Sequence, residues 1–281
     1  MLLILFRLLS HLPLSVLHRL GDGLGWLVYM GSPAYRQRLQ QNMTRAGYRA
    51  QLYKSIREAG KSMTELPFVW CAPADRVLAT AEVENWSLVQ TAIDSGRGLI
   101  LLTPHLGCFE LIAQVVAQHI PFTVLYRPPR RASLKPLIEG ARERHNLLLA
   151  PANLSGVRML LKALKKNGVV GLLPDQVPQN GEGVWADFFG RPAYSMSLPG
   201  KLQQMSGAQL MLCYAERKAG GAGYLVRFVP FDAPLGDTAL TQASAINHAM
   251  EELIARCPEQ YFWSYNRYKT PAGVVEPEAI P

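Results

Sequence analysis

The chain has 281 residues, of which 49% are hydrophobic and only 18% are charged, so it is long enough for one large domain or two small ones with an ample core. Its four cysteines are scattered without a C-x-x-C pair, which argues against a disulfide scaffold or a zinc site and fits a reducing compartment. The formal charge of +8 is uneven, because residues 1–57 contain eight basic residues against Asp22 alone. Since those basic residues are mixed with Leu, Ile, Phe and Trp, they favour an anionic membrane surface over nucleic acid.

The first 30 residues are mostly apolar but are interrupted by charged and helix-breaking residues such as Arg7 and Pro13. A spanning helix needs about 20 largely uncharged residues, and a signal peptide ends in a small-residue cleavage site. Neither pattern is present, so we predict a membrane-associated helical segment in the interface, with Trp26 and Tyr29 at headgroup depth. A tilted single span and an ordinary buried helix remain alternatives.

Helix-like and strand-like patterns then alternate, which indicates an α/β fold with a single, mostly parallel central sheet flanked by helices. The predicted helices cover residues 52–70, 86–94, 133–145, 154–166, 197–205 and 238–257, and a further helix begins after Gly107. The predicted strands cover residues 99–102, 120–126, 147–150, 168–173, 209–215 and 224–230, with a less distinct one within 77–85. We expect residues 1–30 to form the membrane-associated segment, 31–270 the catalytic domain and 271–281 a loose tail. The glycine-rich segment 179–192 predicts an ordered loop beside the site.

The segment from Gly98 to Gln118 organises the rest of the chain. A short apolar run suited to a buried strand stops at Thr103-Pro104, and His105 follows in the turn before a helix. Glu110 then lies in the first turn of that helix. Residues five apart on one helix point about 140° apart, so the two side chains meet only if His105 lies off the helix. A carboxylate against one imidazole nitrogen would leave the other free to act as a general base.

The spacing between His105 and Glu110 is weak support by itself, since about 0.4 such pairs are expected by chance in this composition. A histidine that only packs at a strand end is the alternative. Cys108 lies between the two and allows a Cys/His nucleophile, although a small thiol near a helix start is more typical of a core position.

Two more polar residues follow predicted strands. Arg127 comes after the strand 120–126, and Asp175 comes after the strand 168–173. Ligands of open α/β sheets bind beyond the carboxyl ends of the strands, so we expect both residues near His105. A guanidinium there suits a phosphate. Arg130 and Arg131 are as consistent with a charged surface loop as with a binding role.

These motifs, in this order, resemble the bacterial lipid A biosynthesis acyltransferases, within the wider glycerolipid acyltransferase group. The resemblance spans nearly the whole chain and rests on its apolar basic N-terminus and on T-P-H-L-G-C-F-E, Y-R-P, K-A-L-K-K-N-G, L-P-D-Q, D-F-F-G and P-E-Q-Y-F-W-S-Y-N-R-Y-K-T. The wider group usually has Asp at the position of Glu110. The glutamate of this chain is similar to the residue found in the lipid A branch.

The resemblance implies acyl transfer from an acyl carrier protein thioester to a hydroxyl of an acylated, phosphorylated glucosamine disaccharide, at the cytoplasmic face of the inner membrane. His105 would be the general base and Glu110 its orienting partner, with no metal, no cofactor and no covalent acyl-enzyme. Arg127 and Asp175 would bind substrate, Arg127 through an acceptor phosphate, while Asp175 would alternatively support the site or hold a basic neighbour. The alternatives are an acyltransferase for a lysophospholipid, glycolipid or ornithine lipid, and a non-catalytic membrane lipid-binding protein.

Overall fold

A computed structural model describes residues 2–127, 140 and 146–277 of the chain. The helices are α1 (Leu2–Leu9), α2 (Leu14–Gly31), α3 (Pro33–Arg45), α4 (Leu52–Thr64), α5 (Leu66–Cys71), α6 (Ala74–Leu78), α7 (Trp86–Asp94), α8 (Phe109–His119), α9 (Leu154–Leu164), α10 (Leu198–Ser206) and α11 (Ala239–Ile254). The strands are β1 (Ala81–Glu84), β2 (Leu99–Leu102), β3 (Phe122–Tyr126), β4 (Leu147–Pro151), β5 (Val169–Leu172), β6 (Gly183–Asp187), β7 (Pro192–Met196), β8 (Gln209–Arg217) and β9 (Tyr224–Pro230).

The strands form a seven-stranded sheet in the order β1-β9-β8-β2-β5-β3-β4. Every neighbouring pair is parallel except β8 and β9, so the predicted α/β class with a mostly parallel sheet is confirmed. Strand β2 lies in the middle, and β5 separates it from β3. The carboxyl ends of β2, β5 and β3 are therefore side by side at one edge of the sheet.

Apolar side chains fill both faces of this sheet, as the continuous hydrophobic runs require. All four residues of β2 are buried, and so are all four of β5. Alternate residues of β2 belong to opposite cores, with Ile100 and Leu102 in one and Leu99 and Leu101 in the other. The sheet thus holds its central strand ends in a fixed position beneath the site.

Helix α2 packs closely against α4. A Cβ atom on Gly25 would lie 2.0 Å from the carbonyl oxygen of Ile56, and one on Gly60 would lie 1.9 Å from that of Gly21. These approaches require glycine and fix α2 against α4. By contrast, α1 has no buried residue, and large apolar side chains are exposed along α1 and α2: Leu2, Ile4, Leu5, Leu8, Leu20, Leu27 and Met30. Among the described residues, we find no helix with the length and apolar character needed to cross a bilayer.

The structure adds detail to two predicted elements, and a third lies largely outside the described residues. The segment 179–192 is not only a loop, because residues 183–187 pair antiparallel with 192–196 in a β-hairpin. Its glycines conceal the strand signal, and its alternation is too short to detect. In the predicted helix over 52–70, the Leu66-Pro67 step predicts a kink or stop. The structure confirms this, since two helices, Leu52–Thr64 and Leu66–Cys71, are separated at Glu65. The predicted helix over 133–145 lies outside the described residues, apart from residue 140.

Candidate active site

A tight turn joins β2 to α8 and carries His105. Gly107 adopts a φ of +59° in this turn, and a Cβ there would lie 1.9 Å from the Ala215 carbonyl oxygen, so only glycine fits. The Gly107 N–H donates to the Gln260 carbonyl oxygen at 3.1 Å, and the Cys108 N–H donates to that of Ala215 at 2.8 Å. The turn is therefore fixed by strand β8 and by the segment that follows α11.

Asp175 holds His105 through two hydrogen bonds. Oδ1 of Asp175 lies 2.7 Å from the imidazole Nδ1, and Oδ2 accepts the His105 backbone N–H at 2.9 Å. The Asp175 side chain is only 2% exposed. Burial raises the pKa of this carboxyl, but the charge and hydrogen bonds of His105 outweigh burial and lower the pKa below its usual value. An ionised Asp175 fixes the tautomer in which Nδ1 carries the proton.

The other ring nitrogen faces the cavity. Nε2 of His105 lies 3.0 Å from the side-chain nitrogen of Gln176, and with Nδ1 protonated the amide donates to Nε2. The His105 side chain is 16% exposed, and both residues line the larger cavity of the site. A substrate hydroxyl that reaches Nε2 would take the position of the Gln176 amide. The motif L-P-D-Q contains Gln176, but its sequence gave no chemical role for it.

Glu110 lines the same two cavities as His105, and one of its hydrogen bonds joins Trp70. Its Oε2 accepts the indole N–H of Trp70 at 3.2 Å. The contact to Nδ1 expected from Glu110 is made by Asp175, which comes from the neighbouring strand end 70 residues away. Glu110 nevertheless lines both cavities beside His105, so it remains placed to act on a bound substrate.

Two cavities meet at His105, Phe109 and Glu110. The larger has a volume of about 540 Å³ and contains Arg127 and Lys201 as its cationic residues, with Arg127 exposed. Its apolar lining residues are Leu125, Leu154, Val157, Leu173, Val177, Met196 and Leu198. The smaller has a volume of about 270 Å³ and includes Leu39, Met63, Leu66, Trp70, Phe262 and Trp263. The site therefore offers cationic and hydrocarbon surfaces around one imidazole.

The structure brings together all four residues predicted for the site. His105, Glu110 and Arg127 line the larger cavity, while Asp175 is buried behind the imidazole and is absent from the described lining of both cavities. Asp175 therefore contacts the imidazole rather than open cavity space. Residues 130 and 131, left open by the sequence, lie outside the described residues.

A buried ionic cluster lies beneath the same turn. Arg217 donates to both Glu65 oxygens at 2.8 and 2.9 Å and to the Gly107 carbonyl oxygen at 2.7 Å. Burial would raise the pKa of Glu65, but the Arg217 charge, with hydrogen bonds from His18 and Arg217, lowers it to about 2. Burial, then the charge of Glu65, raises the pKa of the Cys108 thiol well above its usual value, which disfavours a thiolate nucleophile.

Sequence reasoning missed this cluster, and it also missed Arg267. Arg267 is 3% exposed, donates to the Tyr194 carbonyl oxygen at 2.8 Å and to Ser195 Oγ at 2.7 Å, and stacks on Phe188. Its charge contributes to lowering the Asp175 pKa. The detectable signal was an arginine between two tyrosines in the closing motif, as S-Y-N-R-Y.

Metal-binding side chains are not grouped here. Over residues 2–127, 140 and 146–277, no cluster of three His, Cys, Asp or Glu side chains has an arrangement that would hold a metal ion. The chemistry available in the described site is thus that of an oriented imidazole, the carboxylates of Glu110, Asp175 and Glu182, and nearby cations.

Comparison with known proteins is consistent across the chain. Residues 1–270 match the family model described as bacterial lipid A biosynthesis acyltransferase. A lipid A biosynthesis lauroyltransferase of Escherichia coli is 30% identical over 98% of this chain and 90% of its own length. A palmitoleoyltransferase of lipid A biosynthesis from the same organism is 28% identical over 78% of this chain and 72% of its own length. A phosphatidylinositol mannoside acyltransferase of Mycolicibacterium smegmatis is 31% identical over 55% of this chain and 52% of its own length.

Proposed function

Because the chain belongs to the bacterial lipid A biosynthesis acyltransferase family, we propose that it transfers an acyl group from an acyl carrier protein thioester to a hydroxyl of a lipid A precursor. The observation that carries the chemistry is the imidazole of His105, held at Nδ1 by buried Asp175 and bonded at Nε2 to Gln176, which lines the larger cavity with it. Such a pair is the arrangement that a general base requires.

In the proposed reaction, Nε2 of His105 takes the proton from the acceptor hydroxyl as its oxygen attacks the thioester carbonyl carbon. The tetrahedral intermediate collapses with cleavage of the C–S bond, and the imidazolium returns its proton to the departing thiolate. The acyl group thus passes directly to the acceptor oxygen. Asp175 is a positioning residue that stabilises the imidazolium, and no acyl-enzyme on Cys108 is required. A general base of this kind contributes roughly 10²–10⁴ in rate.

The lining of the larger cavity supports binding of the phosphate and hydrocarbon parts of the acceptor. Arg127 and Lys201 offer cations to phosphate oxygens, while the apolar wall suits hydrocarbon chains. We assign Arg127 to acceptor phosphate binding. Glu110 is placed to accept hydrogen bonds from the acceptor next to the reacting hydroxyl. Neither role needs a metal or a bound cofactor.

We further propose that α1 and α2 associate with the anionic cytoplasmic face of the inner membrane. Their exposed leucines and methionine would enter the interface, and Arg7 and Arg19 would attract anionic headgroups by roughly 1 kcal/mol each. The lipid acceptor would then be presented close to the site, since Phe6 on α1 stacks at 6.0 Å on Trp70, which lines the smaller cavity.

Mass spectrometry of lipid A tests the proposal in cells that lack the gene and are complemented with wild type or His105→Ala. We expect one secondary acyl chain to be lost, and to return with wild type only. Expression and membrane fractionation of both proteins serve as the control. Restoration by His105→Ala would rule out this mechanism and favour a lipid-binding protein.

A different glycolipid acceptor is the second candidate, and the relative that acylates a phosphatidylinositol mannoside favours it over other lipids. An unchanged lipid A profile, with the protein expressed and no paralogue to compensate, would support it. The total lipid extract of the same strains would then show which acylated species disappears and returns.

A further inference from the structure

A cationic hollow lies on the surface of the molecule. It is formed by the end of α3, the 3₁₀ turn after it and the tip of the β6–β7 hairpin, and encloses about 660 Å³ of open space. Its described lining residues are Gln40, Gln41, Thr44, Arg45, Arg49 and Arg191. We call this surface the arginine hollow. All three of its arginines are exposed.

Two of the three arginines in the arginine hollow contact the same aromatic ring. The guanidinium carbons of Arg45 and Arg191 each lie 4.9 Å from the centroid of the Tyr268 ring. The Tyr268 hydroxyl in turn donates to the Phe188 carbonyl oxygen at 2.8 Å, which fixes the ring. Two like charges are therefore brought to one side chain, and an anion is the natural neutralising partner.

The protein itself does not neutralise these charges. Within the described residues, no ion pair includes any of the three arginines. The nearby carboxylates of Asp187 and Glu251 accept the backbone N–H groups of Gly190 and Phe189, at 2.9 and 2.6 Å. Those carboxylates hold the hairpin in shape, so Arg191 is presented outward from a fixed turn.

The chemistry of the arginine hollow suits carboxylates on a folded protein better than a bilayer. Arginine pairs with carboxylates through two parallel hydrogen bonds, and the uncharged lining residues are glutamines and a threonine. A surface that inserts into lipid needs large apolar side chains, and on this molecule those are exposed along α1 and α2. The segment 33–57 adds further positive charge, since it contains six basic residues and no acidic one.

The arginine hollow is also connected to the site. Tyr268 lines a narrow cleft that includes Phe262, and Phe262 lines the smaller cavity together with His105. The Phe262 backbone N–H donates to the His105 carbonyl oxygen at 3.1 Å. A protein bound in the hollow would therefore sit against the segment that walls the cavity containing the base.

We propose that the arginine hollow is the docking surface for an acidic protein that delivers the acyl group as a thioester. This inference rests on the proposed function, because it names the surface that receives the donor. Carboxylates on the donor protein would pair with Arg45, Arg49 and Arg191, and the attached acyl thioester would reach the cavity past the segment around Phe262. Charge pairs of this kind act mainly on association, so their loss weakens donor binding rather than the chemical step.

The test compares a protein-borne donor with a small one. The variant Arg45→Glu/Arg49→Glu/Arg191→Glu is assayed with acyl carrier protein thioester and with the corresponding acyl-N-acetylcysteamine thioester. We expect the KM for the protein donor to rise about tenfold or more, while kcat/KM for the small thioester is unchanged. The matched control is Lys162→Glu/Lys165→Glu/Lys166→Glu, which has the same change of charge on exposed residues around the end of α9 and should behave like wild type.

Other outcomes overturn the inference in distinguishable ways. An unchanged KM for the protein donor, or an equal loss with both donors, would exclude the hollow as the docking surface. Reduced binding to vesicles of anionic phospholipid, with donor KM unchanged, would assign the hollow to the membrane; Leu5→Glu/Leu8→Glu is the control for that measurement. If wild type transfers no acyl group from either donor, the proposed function fails instead, and calorimetric titration with acyl carrier protein still decides whether the hollow binds it.

Discussion

His105 and His18 each face a buried carboxylate, but the two pairs differ in what surrounds them. His105 Nδ1 lies 2.7 Å from Asp175, and its other nitrogen faces a cavity. His18 Nε2 lies 3.2 Å from Glu65, with both side chains at most 5% exposed. Glu65 is also bonded to Arg217 and to the Tyr224 hydroxyl at 3.1 Å. Asp175 therefore orients a partly exposed imidazole beside a cavity, whereas Glu65 is bonded by several buried partners.

The difference shows that a histidine–carboxylate distance alone does not identify a catalytic pair. A base needs one nitrogen that a substrate can reach, together with a carboxylate whose ionised form supports the imidazolium. The Glu65 cluster instead compensates the desolvation of Arg217 and anchors the Gly107 carbonyl oxygen. Both sites contact the turn between β2 and α8. Asp175 accepts the His105 N–H, and Arg217 donates to the Gly107 carbonyl oxygen.

The largest expected effect comes from the same isosteric change at the two carboxylates. Asp175→Asn should lower kcat by roughly 10²–10⁴, because the amide no longer enforces the Nδ1-protonated tautomer. Glu65→Gln should instead lower the free energy of unfolding by about 3 kcal/mol, because Arg217 keeps its charge but loses its main partner. Measurements of kcat and of urea unfolding on both variants check the pair. Loss of stability in Asp175→Asn without loss of turnover would reverse our assignment.

Glu110→Gln provides the control for which carboxylate holds the ring. In protein with ¹⁵N-labelled histidine, the Nδ1 proton of His105 should give a downfield NMR signal that survives in Glu110→Gln and disappears in Asp175→Asn. Disappearance only in Glu110→Gln would restore the orienting role that the spacing suggested. We expect turnover to fall in Glu110→Gln as well, because this carboxylate lies where the two cavities meet.

The sequence was sufficient for the strand ends and insufficient for their contacts. The strand at 224–230 and the helix at 86–94 were predicted with the observed bounds, because strong apolar patterns end at clear breakers. His105, Arg127 and Asp175 were each expected at a strand end, since an apolar run stops directly before them. That β5 lies between β2 and β3 depends on the crossover connections, which a single sequence does not encode locally.

The same limit explains why the sequence did not predict the β6–β7 hairpin or the ionic cluster around Arg217. Residues 183–187 pair with residues 192–196, and both short strands pack against α11. This packing stabilises strands whose own sequence signal is weak. Arg217 and Glu65 are 152 residues apart, so neither residue signals the other. Spacing favoured Glu110 as the partner of His105 because it is close in sequence, whereas the imidazole is turned toward the neighbouring strand end.

Acid titration sharpens the comparison with a smaller effect. The pKa of Glu65 is lowered to about 2, against roughly 4.3 in an unfolded chain, so its ionised form stabilises the folded state above the unfolded value. That contribution, up to about 3 kcal/mol, should be lost as pH falls from about 4.5 toward 2. Urea unfolding across this range checks it, with Glu65→Gln as a variant whose stability should vary less. Equal slopes for the two proteins would show that other carboxylates control acid unfolding.

The smallest effect is expected at His18, where the pair has no access to substrate. His18→Leu removes one hydrogen bond to Glu65 and should lower the free energy of unfolding by about 1 kcal/mol, because Arg217 and Tyr224 still satisfy that carboxylate. His18→Gln keeps an N–H donor and should recover part of the loss. The value of kcat should stay within a few fold of wild type in both His18 variants. The same substitutions at His105 should remove most of the turnover. A large fall in kcat at unchanged stability would instead mean that α2 acts on the turn through Glu65, Arg217 and the Gly107 carbonyl oxygen.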